Sequence, residues 1–339
     1  MARDHDFARY LKTIGRGPTL SRPLAREEAR EAMSLILDGA VEPVQIGGFL
    51  LVLRHRGETA DELGGMVEAA RATLARPEAA PVPDLDWPSY ADRHRQQPWF
   101  VPAALLLAEN GIRILMHGIA GLSQGHAPTR PALAAFGITP ARDLAEAARR
   151  LERENLVYLG LERLCPGLDR LFDLRPLLGV RTAVNSLSRA LNPLGAPGQL
   201  QGVFHPPYRI LHQEAALADG QPRSAIFKGG GGECQRNPQK PCRIAWVRDG
   251  RAFDEDWPAL SPDDGYRWRE EPLGPERLVA LWRGELSLPA PEAMITGTVA
   301  LALAALGRDT DPAAAQAAAE TMWHDRPRRK YPAARALTG

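Results

Sequence analysis

The stretch RTAVNSLSRALNPLGAPGQLQGV, residues 181–203, combines elements of helix, loop and strand within 23 residues. It starts with a helical pattern, passes through a Pro-Gly loop and ends in the run QGVFH, which is typical of a strand. Two arginines and two asparagines lie along it, namely Arg181, Asn185, Arg189 and Asn192. The guanidinium group of arginine can bind a carboxylate or a phosphate through two hydrogen bonds. Such arginines also commonly lie on the solvent-exposed side of a helix without a binding role. The residues of this stretch therefore leave its chemistry open.

Helical patterns fill the residues that come first in the chain. They are SRPLAREEAREAMSLILDG at 21–39, VEPVQIGGFLLVLRHRG at 41–57 and TADELGGMVEAARATL at 59–74. Thr59 followed by Glu62 predicts a capping box at the start of the third helix. We expect a small helical domain over residues 1–75, completed by helices around 165–195. The proline-rich stretch RPEAAPVPDLDWPSY at 76–90 cannot continue a helix and indicates a linker or hinge.

The pattern then changes to an alternation of helices and short β-rich runs. IRILMHG at 112–118 and VYLGL at 157–161 are separated by the helical stretch ARDLAEAARRLERENL at 141–156. Further strands are predicted at QGVFH, SAIFKG, RIAWV and YRWRE, with a final helix at PEAMITGTVALALAALG, residues 291–307. This order is typical of βαβ units. We expect an α/β domain with a mostly parallel central sheet over residues 76–164 and 196–339.

Composition excludes several classes of protein. The 339 residues are 44% hydrophobic and 24% charged, with a formal net charge of +1, which argues against a wholesale polyelectrolyte binder. Three cysteines without metal-type spacing, and the start MARDHDFARYLK without an apolar segment, predict a reduced, cytoplasmic protein. The stretch at 295–307 is too short to span a bilayer, so no membrane partner is expected.

Two stretches carry candidate chemistry. ILMHGIAG at 114–121 places a histidine at the carboxyl end of a predicted parallel strand, where α/β folds bind ligands; a tight turn is the alternative. AIFKGGGGECQRNPQKPCRIAWV at 225–247 holds four consecutive glycines, which imply a close approach of the backbone to a phosphate, a metal or another piece of protein. Neither the GxxxxGK[ST] nor the GxGxxG pattern is present, so a nucleotide loop is weakly supported.

Basic residues cluster in three places within this neutral chain. Residues 223–251 carry seven cations against Glu233 and Asp249; the cations are Arg223, Lys228, Arg236, Lys240, Arg243, Arg248 and Arg251. SYADRHRQQPWF at 89–100 carries Arg93 and Arg95 framed by aromatic side chains, and DRPRRKYP lies at 325–332. A solvated surface is the alternative for each cluster. Three clusters, two of them beside glycine-rich or aromatic loops, favour phosphate contacts.

The order of these segments resembles the anthranilate phosphoribosyltransferase family. The resemblance rests on GPTLSRPLAREEAREAM and the helical stretches after it, on His117 and Gly118, and on the stretch at 181–203, and it extends to about residue 307. It implies a small helical domain beside a large α/β domain with a mostly parallel sheet. It also implies a homodimer formed through the helical domain. Arg181 matches the arginine that contacts the anthranilate carboxylate in the family, and Asn192 is retained.

The catalytic motifs of that family are altered in this chain. WPSYADRHRQQPWFVPAA stands where the family has its GTGGDG diphosphate loop, and the KHGN motif reads MHGI, with Met116 and Ile119 as the replacements. The Asp-Glu pair that holds magnesium falls on Gly232 and Glu233, which leaves one carboxylate. These replacements resemble those of the YbiB-type branch. That branch keeps the fold without the transferase activity and is associated with nucleic-acid binding by a dimer with a basic groove.

We therefore expect a nucleic-acid-binding homodimer without anthranilate phosphoribosyltransferase activity, a cofactor or a metal, which binds DNA or RNA without sequence specificity. Tyr90 or Trp99 would offer a stacking face. The expected anion-binding residues are Arg93, Arg95, Arg181, Lys228, Arg236, Lys240 and Arg243. The alternative is a divergent glycosyl or phosphoribosyl transferase that uses phosphoribosyl pyrophosphate and magnesium. Its ligand-site residues would be His117, Gly118, Arg181, Asn192 and Glu233.

Overall fold

The computed structural model describes residues 5–91, 95–121, 125–261 and 265–331. Its strands form a seven-stranded sheet in the order β3-β2-β1-β4-β5-β6-β7. The strands are β1 (Leu85–Ser89), β2 (Ile114–Gly118), β3 (Leu156–Gly160), β4 (Gly198–Val203), β5 (Arg223–Lys228), β6 (Cys242–Arg248) and β7 (Arg251–Trp257). β1 to β5 are mutually parallel, whereas β6 and β7 continue the sheet as antiparallel strands. The predicted α/β class with a mostly parallel sheet is confirmed.

Helices cover the sheet and form the first part of the chain. In chain order they are α1 (Ala8–Gly15), α2 (Arg26–Leu37), α3 (Pro43–Arg56), α4 (Ala60–Ala72), α5 (Phe100–Glu109), α6 (Thr129–Ala135), α7 (Leu144–Glu154), α8 (Leu161–Leu164), α9 (Pro166–Phe172), α10 (Arg175–Leu178), α11 (Ala183–Arg189), α12 (Pro207–Ala218), α13 (Glu276–Arg283), α14 (Pro289–Ala305) and α15 (Pro312–Asp325). A 3₁₀ turn, Gly230–Gly232, follows β5.

The parallel strands bury side chains on both faces of the sheet. In β2, Ile114 and Met116 belong to the core shared with α5, α13, α14 and α15, whereas Leu115 belongs to the core on the other face. That second core also contains side chains of α1 to α4, α9 and α11. Strands buried on both faces form nearly continuous apolar runs in the sequence, as LVYLG of β3 does.

One buried carboxylate fixes the arrangement of the first helices. The capping box predicted for α4 is present: Glu62 N donates to Thr59 Oγ1 at 3.2 Å, and Thr59 N donates to Glu62 Oε2 at 2.9 Å. The other oxygen of Glu62 accepts from Leu24 N at 2.9 Å, just before α2. The cap therefore also joins α2 to α4, and Glu62 is fully buried.

The predicted linker was wrong in its second half, because β1 is the third strand of the sheet and carries Pro88. The β1 ladder with β4 ends at Asp86 and Gln199. Beyond that point the Pro88 carbonyl lies 3.6 Å from the Cys234 thiol on the β4 side. Within a strand, the N–H and C=O of one residue point to the same side. An N–H at Pro88 would therefore point toward β4, where the β1–β4 ladder has already ended, so the proline removes no ladder hydrogen bond.

One further prediction differs from the structure. YRWRE at 266–270 is a turn-rich loop, and the last strand is instead RAFDEDW, which pairs with β6 along its whole length. Among the helices expected around 165–195, α10 ends at Gly179, whose φ of 73° is left-handed, and α11 begins at Ala183. Across the described residues, no helix combines the length and the apolar character that crossing a bilayer requires. The predicted domain boundaries stay predictions.

Candidate functional site

The candidate site lies at the carboxyl ends of the parallel strands, between β1 and β4. The strand order reverses there, which is the position where open α/β sheets bind ligands. Because β1 and β4 pair only at their first two positions, a gap opens between their ends. Cys234 fills that gap: its thiol lies 3.1 Å from both Gly202 N and Leu200 O. The segment after β5 therefore forms the floor of the site.

The backbone amides of the glycine run donate to nearby backbone carbonyls. Gly229 N donates to Val203 O at 3.0 Å and Gly230 N to Gln235 O at 2.8 Å. Gly232 N and Glu233 N donate to the carbonyls of Gly229 and Gly230. These amides are thus not available as an anion nest.

The glycines serve a close approach of backbone to backbone. A Cβ at Gly229 or at Gly202 would overlap the carbonyl oxygen of Glu233. Gly231 and Gly232 adopt left-handed φ values of 66° and 88°, which favour glycine. The partner that the glycine run approaches is therefore another piece of the protein, and the tight turn holds Glu233 in place.

Glu233 is a buried carboxyl with one committed oxygen. Its exposed fraction is 3%, and Oε1 accepts from Ala91 N at 2.6 Å, in the loop after β1. Oε2 has no hydrogen-bond partner among the described residues. Burial raises the pKa of Glu233 to about 7, against the opposing charge of Arg189. The site thus contains one carboxyl that can exchange a proton near neutral pH.

The two arginines of the 181–203 stretch differ in role. Arg189 is buried, and its guanidinium donates to the carbonyls of Gly202 (3.1 Å), Asn185 (3.0 Å) and Gly232 (3.3 Å). It therefore joins α11 to β4 and to the glycine turn. Arg181 is half-buried and lines a pocket beside Phe204. Burial lowers the pKa of both guanidinium groups.

His117 is closed in by hydrogen bonds. Its Nδ1 lies 2.6 Å from the Tyr90 hydroxyl and its Nε2 lies 3.1 Å from Asp86 Oδ1, and all three side chains are buried. Gly118 has no room for a side chain, since a Cβ there would overlap the Ser89 carbonyl. These two ligand-site candidates therefore contribute to the packing of β1 against β2.

Asn192 closes the loop between α11 and β4. It adopts a left-handed φ of 37°, its Nδ2 donates to Ala196 O at 2.9 Å, and its Oδ1 accepts from Ala196 N at 2.8 Å. The side-chain amide thus supplies the hydrogen bonds of the turn. The retained asparagine has a structural role here.

A cleft of about 610 Å³ lies outside this floor, and we call it the basic cleft. Its lining brings together three predicted residues with three that sequence reasoning missed. The six cations that line it are Arg209, Lys228, Lys240, Arg243, Arg267 and Arg269. Glu270 is the one carboxylate among the lining residues. Such an excess of cations in a concave surface raises the local concentration of anions.

Several predicted contacts have a different position. Arg236 is 1% exposed, donates to Pro258 O and stacks 5.3 Å from the Trp257 ring centre, so the prediction that it contacts phosphate was wrong. Tyr90 and Trp99 are fully buried and cannot offer a stacking face. Arg243 is exposed but forms a bidentate pair with Asp256, at 2.8 and 2.6 Å.

The structure describes only part of the second and third basic clusters. Arg95 is exposed but does not line the basic cleft, although its neighbour Gln96 does. Arg93 lies outside the described residues. In the third cluster Arg326 is buried against carbonyls and Lys330 pairs with Glu109 at 2.7 Å, so both hold the end of the chain to the body.

The exposed aromatic residue at the site is Phe204, directly after β4. Its exposed fraction is 47%, and it lies beside Gly232 at the rim of the basic cleft. Sequence reasoning placed it in a strand and so missed it. The sequence did contain a sign that the strand ends at this point, because Phe204 and His205 are followed by two prolines, and the second of these begins α12. Arg267 and Arg269 were likewise assigned to a strand that does not form.

The described residues do not fit a carboxylate clamp for magnesium. No three His, Cys, Asp or Glu side chains among them lie close enough to share a metal ion. Asp86 is engaged by His117 and by Gln199, and Glu233 has one uncommitted oxygen. A site for Mg²⁺ prefers several oxygen ligands in octahedral geometry.

Comparisons with known proteins place the chain among transferases. Residues 8–74 match the model of the glycosyl transferase family, helical bundle domain. Uncharacterized protein YbiB of Escherichia coli is 30% identical over 251 residues, which cover 72% of this chain and 78% of that protein. Anthranilate phosphoribosyltransferase of Novosphingobium aromaticivorans is 32% identical over 236 residues, covering 69% and 70% of the two chains.

A solved structure agrees over a larger part of the chain. The crystal structure of anthranilate phosphoribosyltransferase from Thermus thermophilus superposes with a TM-score of 0.77 at 24% identity, covering 94% of each chain. The likeness extends beyond the matched helical bundle to the sheet. The fold is therefore common to both proteins.

Proposed function

This chain belongs to the anthranilate phosphoribosyltransferase family of glycosyl transferases, and on that scaffold we propose a nucleic-acid-binding homodimer without anthranilate phosphoribosyltransferase activity. The observation that carries the proposal is the basic cleft. Six cations and one carboxylate are among the described residues that line it, two of the cations (Arg209 and Arg243) pair with carboxylates outside the lining, and the exposed ring of Phe204 lies at its rim. Side-chain cations give sequence-independent contacts to a phosphate backbone, and an exposed aromatic ring gives a stacking face for a base.

The absence of transferase activity is proposed from the floor of the site. The amides of Gly229, Gly230, Gly232 and Glu233 already donate to backbone carbonyls, and the Glu233 carboxyl already accepts from Ala91 N. A diphosphate held with magnesium needs free backbone amides and several oxygen ligands. The described part of the floor offers one free carboxyl oxygen instead.

The homodimer is proposed to form through the helical domain. Four apolar side chains are exposed on or beside α3 and α10, namely Val44, Leu51, Leu177 and Val180. Val44 and Leu177 are more than four-fifths exposed, at 82% and 81%. Exposed apolar patches on soluble proteins mark interaction sites. Light scattering of the wild type and of a Val44→Asp, Leu177→Asp variant measures this, since the variant should be a monomer.

Salt titration of a charge-deleted variant tests the role of the basic cleft. Lys228→Ala, Lys240→Ala should flatten the slope of log affinity against log salt for a single-stranded oligonucleotide by roughly 1 to 2, because each lost phosphate contact removes about 0.7 to 0.9. The control is Arg149→Ala, Arg153→Ala, which removes the same charge from the exposed side of α7. Equal slopes in the two variants would exclude a role for the cleft.

The second candidate is a divergent glycosyl or phosphoribosyl transferase. One observation favours it: the Glu233 carboxyl has a buried oxygen without a hydrogen-bond partner and a pKa raised to about 7, in the field of Arg189 and Arg181. Perturbed carboxyl groups at a strand switch point are typical of active sites. Calorimetry with phosphoribosyl pyrophosphate and magnesium distinguishes the candidates, because micromolar, magnesium-dependent binding supports the transferase.

A further inference from the structure

Two of the six cations that line the basic cleft lie in the short segment 266–270, which we call the arginine loop. Arg267 and Arg269 are exposed there, and neither forms an ion pair with a carboxylate of the described residues. Arg209 and Arg243, in contrast, each pair with an aspartate. The arginine loop therefore supplies two of the four lining cations that no carboxylate in the described part of the chain neutralises.

Neither a helix nor a strand holds the arginine loop in place. Its residues form turns, and its backbone contributes a hydrogen bond from Glu270 N to Arg267 O at 3.0 Å. Trp268, between the two arginines, is 8% exposed, and Tyr266 is half-buried. The two rings contact each other, with their centres 4.6 Å apart. The position of the loop therefore depends on what these two aromatic side chains bind.

The carboxylate of Glu271 ties the arginine loop to the start of α5. Its Oε2 accepts from the Tyr266 hydroxyl at 2.8 Å and from Trp99 Nε1 at 3.1 Å, and its Oε1 accepts from Gln97 N at 2.8 Å. Gln97 and Trp99 are fully buried, and Glu271 is 9% exposed. A carboxylate suits these three donors because both of its oxygens accept. An amide would turn its NH₂ group toward an indole or a backbone N–H, and neither can accept a hydrogen bond.

A second side chain joins the arginine loop to another wall of the cleft. Gln239 Oε1 accepts from Trp268 Nε1 at 2.6 Å, and Gln239 Nε2 donates to Tyr266 O at 3.1 Å. Lys240 follows directly in the chain and lines the same cleft. The arginine loop, the turn at Gln239 and the start of α5 therefore form one hydrogen-bonded unit, in which Glu271 supplies the acceptor with the most donors.

We propose that Glu271 is a positioning residue of the basic cleft, whose carboxylate holds Arg267 and Arg269 where they contact two phosphates of the bound strand. This inference rests on the proposed function. Its consequence has the opposite sign to a simple effect of charge. A carboxylate near a surface that binds phosphates repels them, so removal of its charge alone should tighten binding. Removal of the Glu271 charge should weaken binding instead, because the two arginines lose their position.

The variants Glu271→Gln and Glu270→Gln test the inference, since they change the net charge equally at adjacent positions. Glu270 is exposed and lines the cleft, so Glu270→Gln should tighten the binding of a single-stranded oligonucleotide at low salt. Glu271→Gln should weaken that binding. It should also flatten the slope of log affinity against log salt by roughly 1.4, because two phosphate contacts are lost at about 0.7 each on a single strand.

Trypsin reports the position of the arginine loop in the absence of nucleic acid. The protease cleaves after arginine, and a segment has to open locally before it is cleaved. Cleavage after Arg267 and Arg269, identified by mass spectrometry, should be several-fold faster in Glu271→Gln than in the wild type or in Glu270→Gln. A general loss of stability would instead accelerate cleavage throughout the chain.

The outcomes separate this inference from the proposed function. If Glu271→Gln binds as tightly as Glu270→Gln, with the slope of the wild type, the inference is overturned and the proposed function stands. Unchanged cleavage after Arg267 and Arg269 also overturns it, because the loop would then keep its position without the carboxylate. If the wild type binds no strand, the proposed function fails and the inference fails with it. Tyr266→Phe removes the hydroxyl that donates to Glu271 and should change both measurements in the same direction, so it replaces Glu271→Gln if thermal unfolding shows that this variant does not fold.

Discussion

Glu233 Oε1 accepts a hydrogen bond from the backbone amide of Ala91, at 2.6 Å, across the gap between β1 and β4. This contact joins the loop that follows the third strand of the sheet to the turn that follows the fifth. It lies at the strand switch point, where open α/β sheets bind ligands. The glycine turn therefore holds the ends of the strands together, and the cations of the basic cleft lie outside it.

Gly202→Ala should lower the free energy of unfolding by roughly 1 to 3 kcal/mol or more, because the new methyl group would overlap the Glu233 carbonyl and the backbone cannot yield cheaply. Urea unfolding measures the change. Gly15→Ala is the matched control, since nothing lies within 4 Å of a Cβ at that last position of α1. A Gly202→Ala chain as stable as the control would contradict the close approach.

Arg236→Leu should affect stability and leave binding unchanged. The guanidinium is buried beside Trp257 and satisfies Pro258 O, so its loss leaves an unpaired carbonyl and should cost roughly 1 to 3 kcal/mol. The slope of log affinity against log salt should equal that of the wild type. Lys240→Ala, at an exposed lining residue of the basic cleft, should give the reverse pattern. A flatter slope for Arg236→Leu would restore it as a phosphate contact.

Asp256→Asn should tighten the binding of nucleic acid at low salt. The substitution removes a negative charge and releases Arg243 from its bidentate pair, so one more guanidinium becomes available to a phosphate. Fluorescence anisotropy at two salt concentrations measures the gain, which should shrink as salt rises. Asp38→Asn, at the exposed end of α2, changes the net charge equally and should have little effect.

His212 should make the stability of the protein depend on pH. In the unfolded chain the imidazole has its ordinary pKa of about 6.5, whereas burial lowers the pKa to about 3 in the folded chain. The unfolded chain thus binds more protons below about pH 6.5, and stability is lost as pH falls from there toward 3. His212→Gln should lessen this loss, by at most about 1.4 kcal/mol per pH unit.

Urea unfolding at several pH values measures this slope. The exposed His324→Gln on α15 is the control, and its unfolding free energy should follow the wild type. If the unfolding free energy of His212→Gln fell with pH as steeply as that of the wild type, His212 would be protonated in the folded state as well.

Local patterns in the sequence were sufficient to predict much of the fold. The capping box of Thr59 and Glu62 and the unbroken apolar runs of β2 and β3 are visible in the sequence, because each arises from neighbours in the chain. β1 was missed because Pro88 argues against a central strand, and only the position of Cys234 shows why the missing N–H is tolerated there.

The candidate site was less predictable, since burial decides which cations can meet a ligand. Arg236 and Lys240 belong to the same basic stretch, yet one is buried beside Trp257 and the other lines the cleft. Phe204 and the arginines at 267 and 269 reach the cleft from distant parts of the chain. A count of charges along the sequence does not contain that information.

The affinity of the wild type for a single-stranded oligonucleotide, measured against salt concentration, is the direct test of nucleic-acid binding. We expect binding at low salt and a linear fall of log affinity with log salt, with a slope of about −0.7 for each phosphate contacted. Absence of binding at low salt, together with magnesium-dependent binding of phosphoribosyl pyrophosphate, would contradict it.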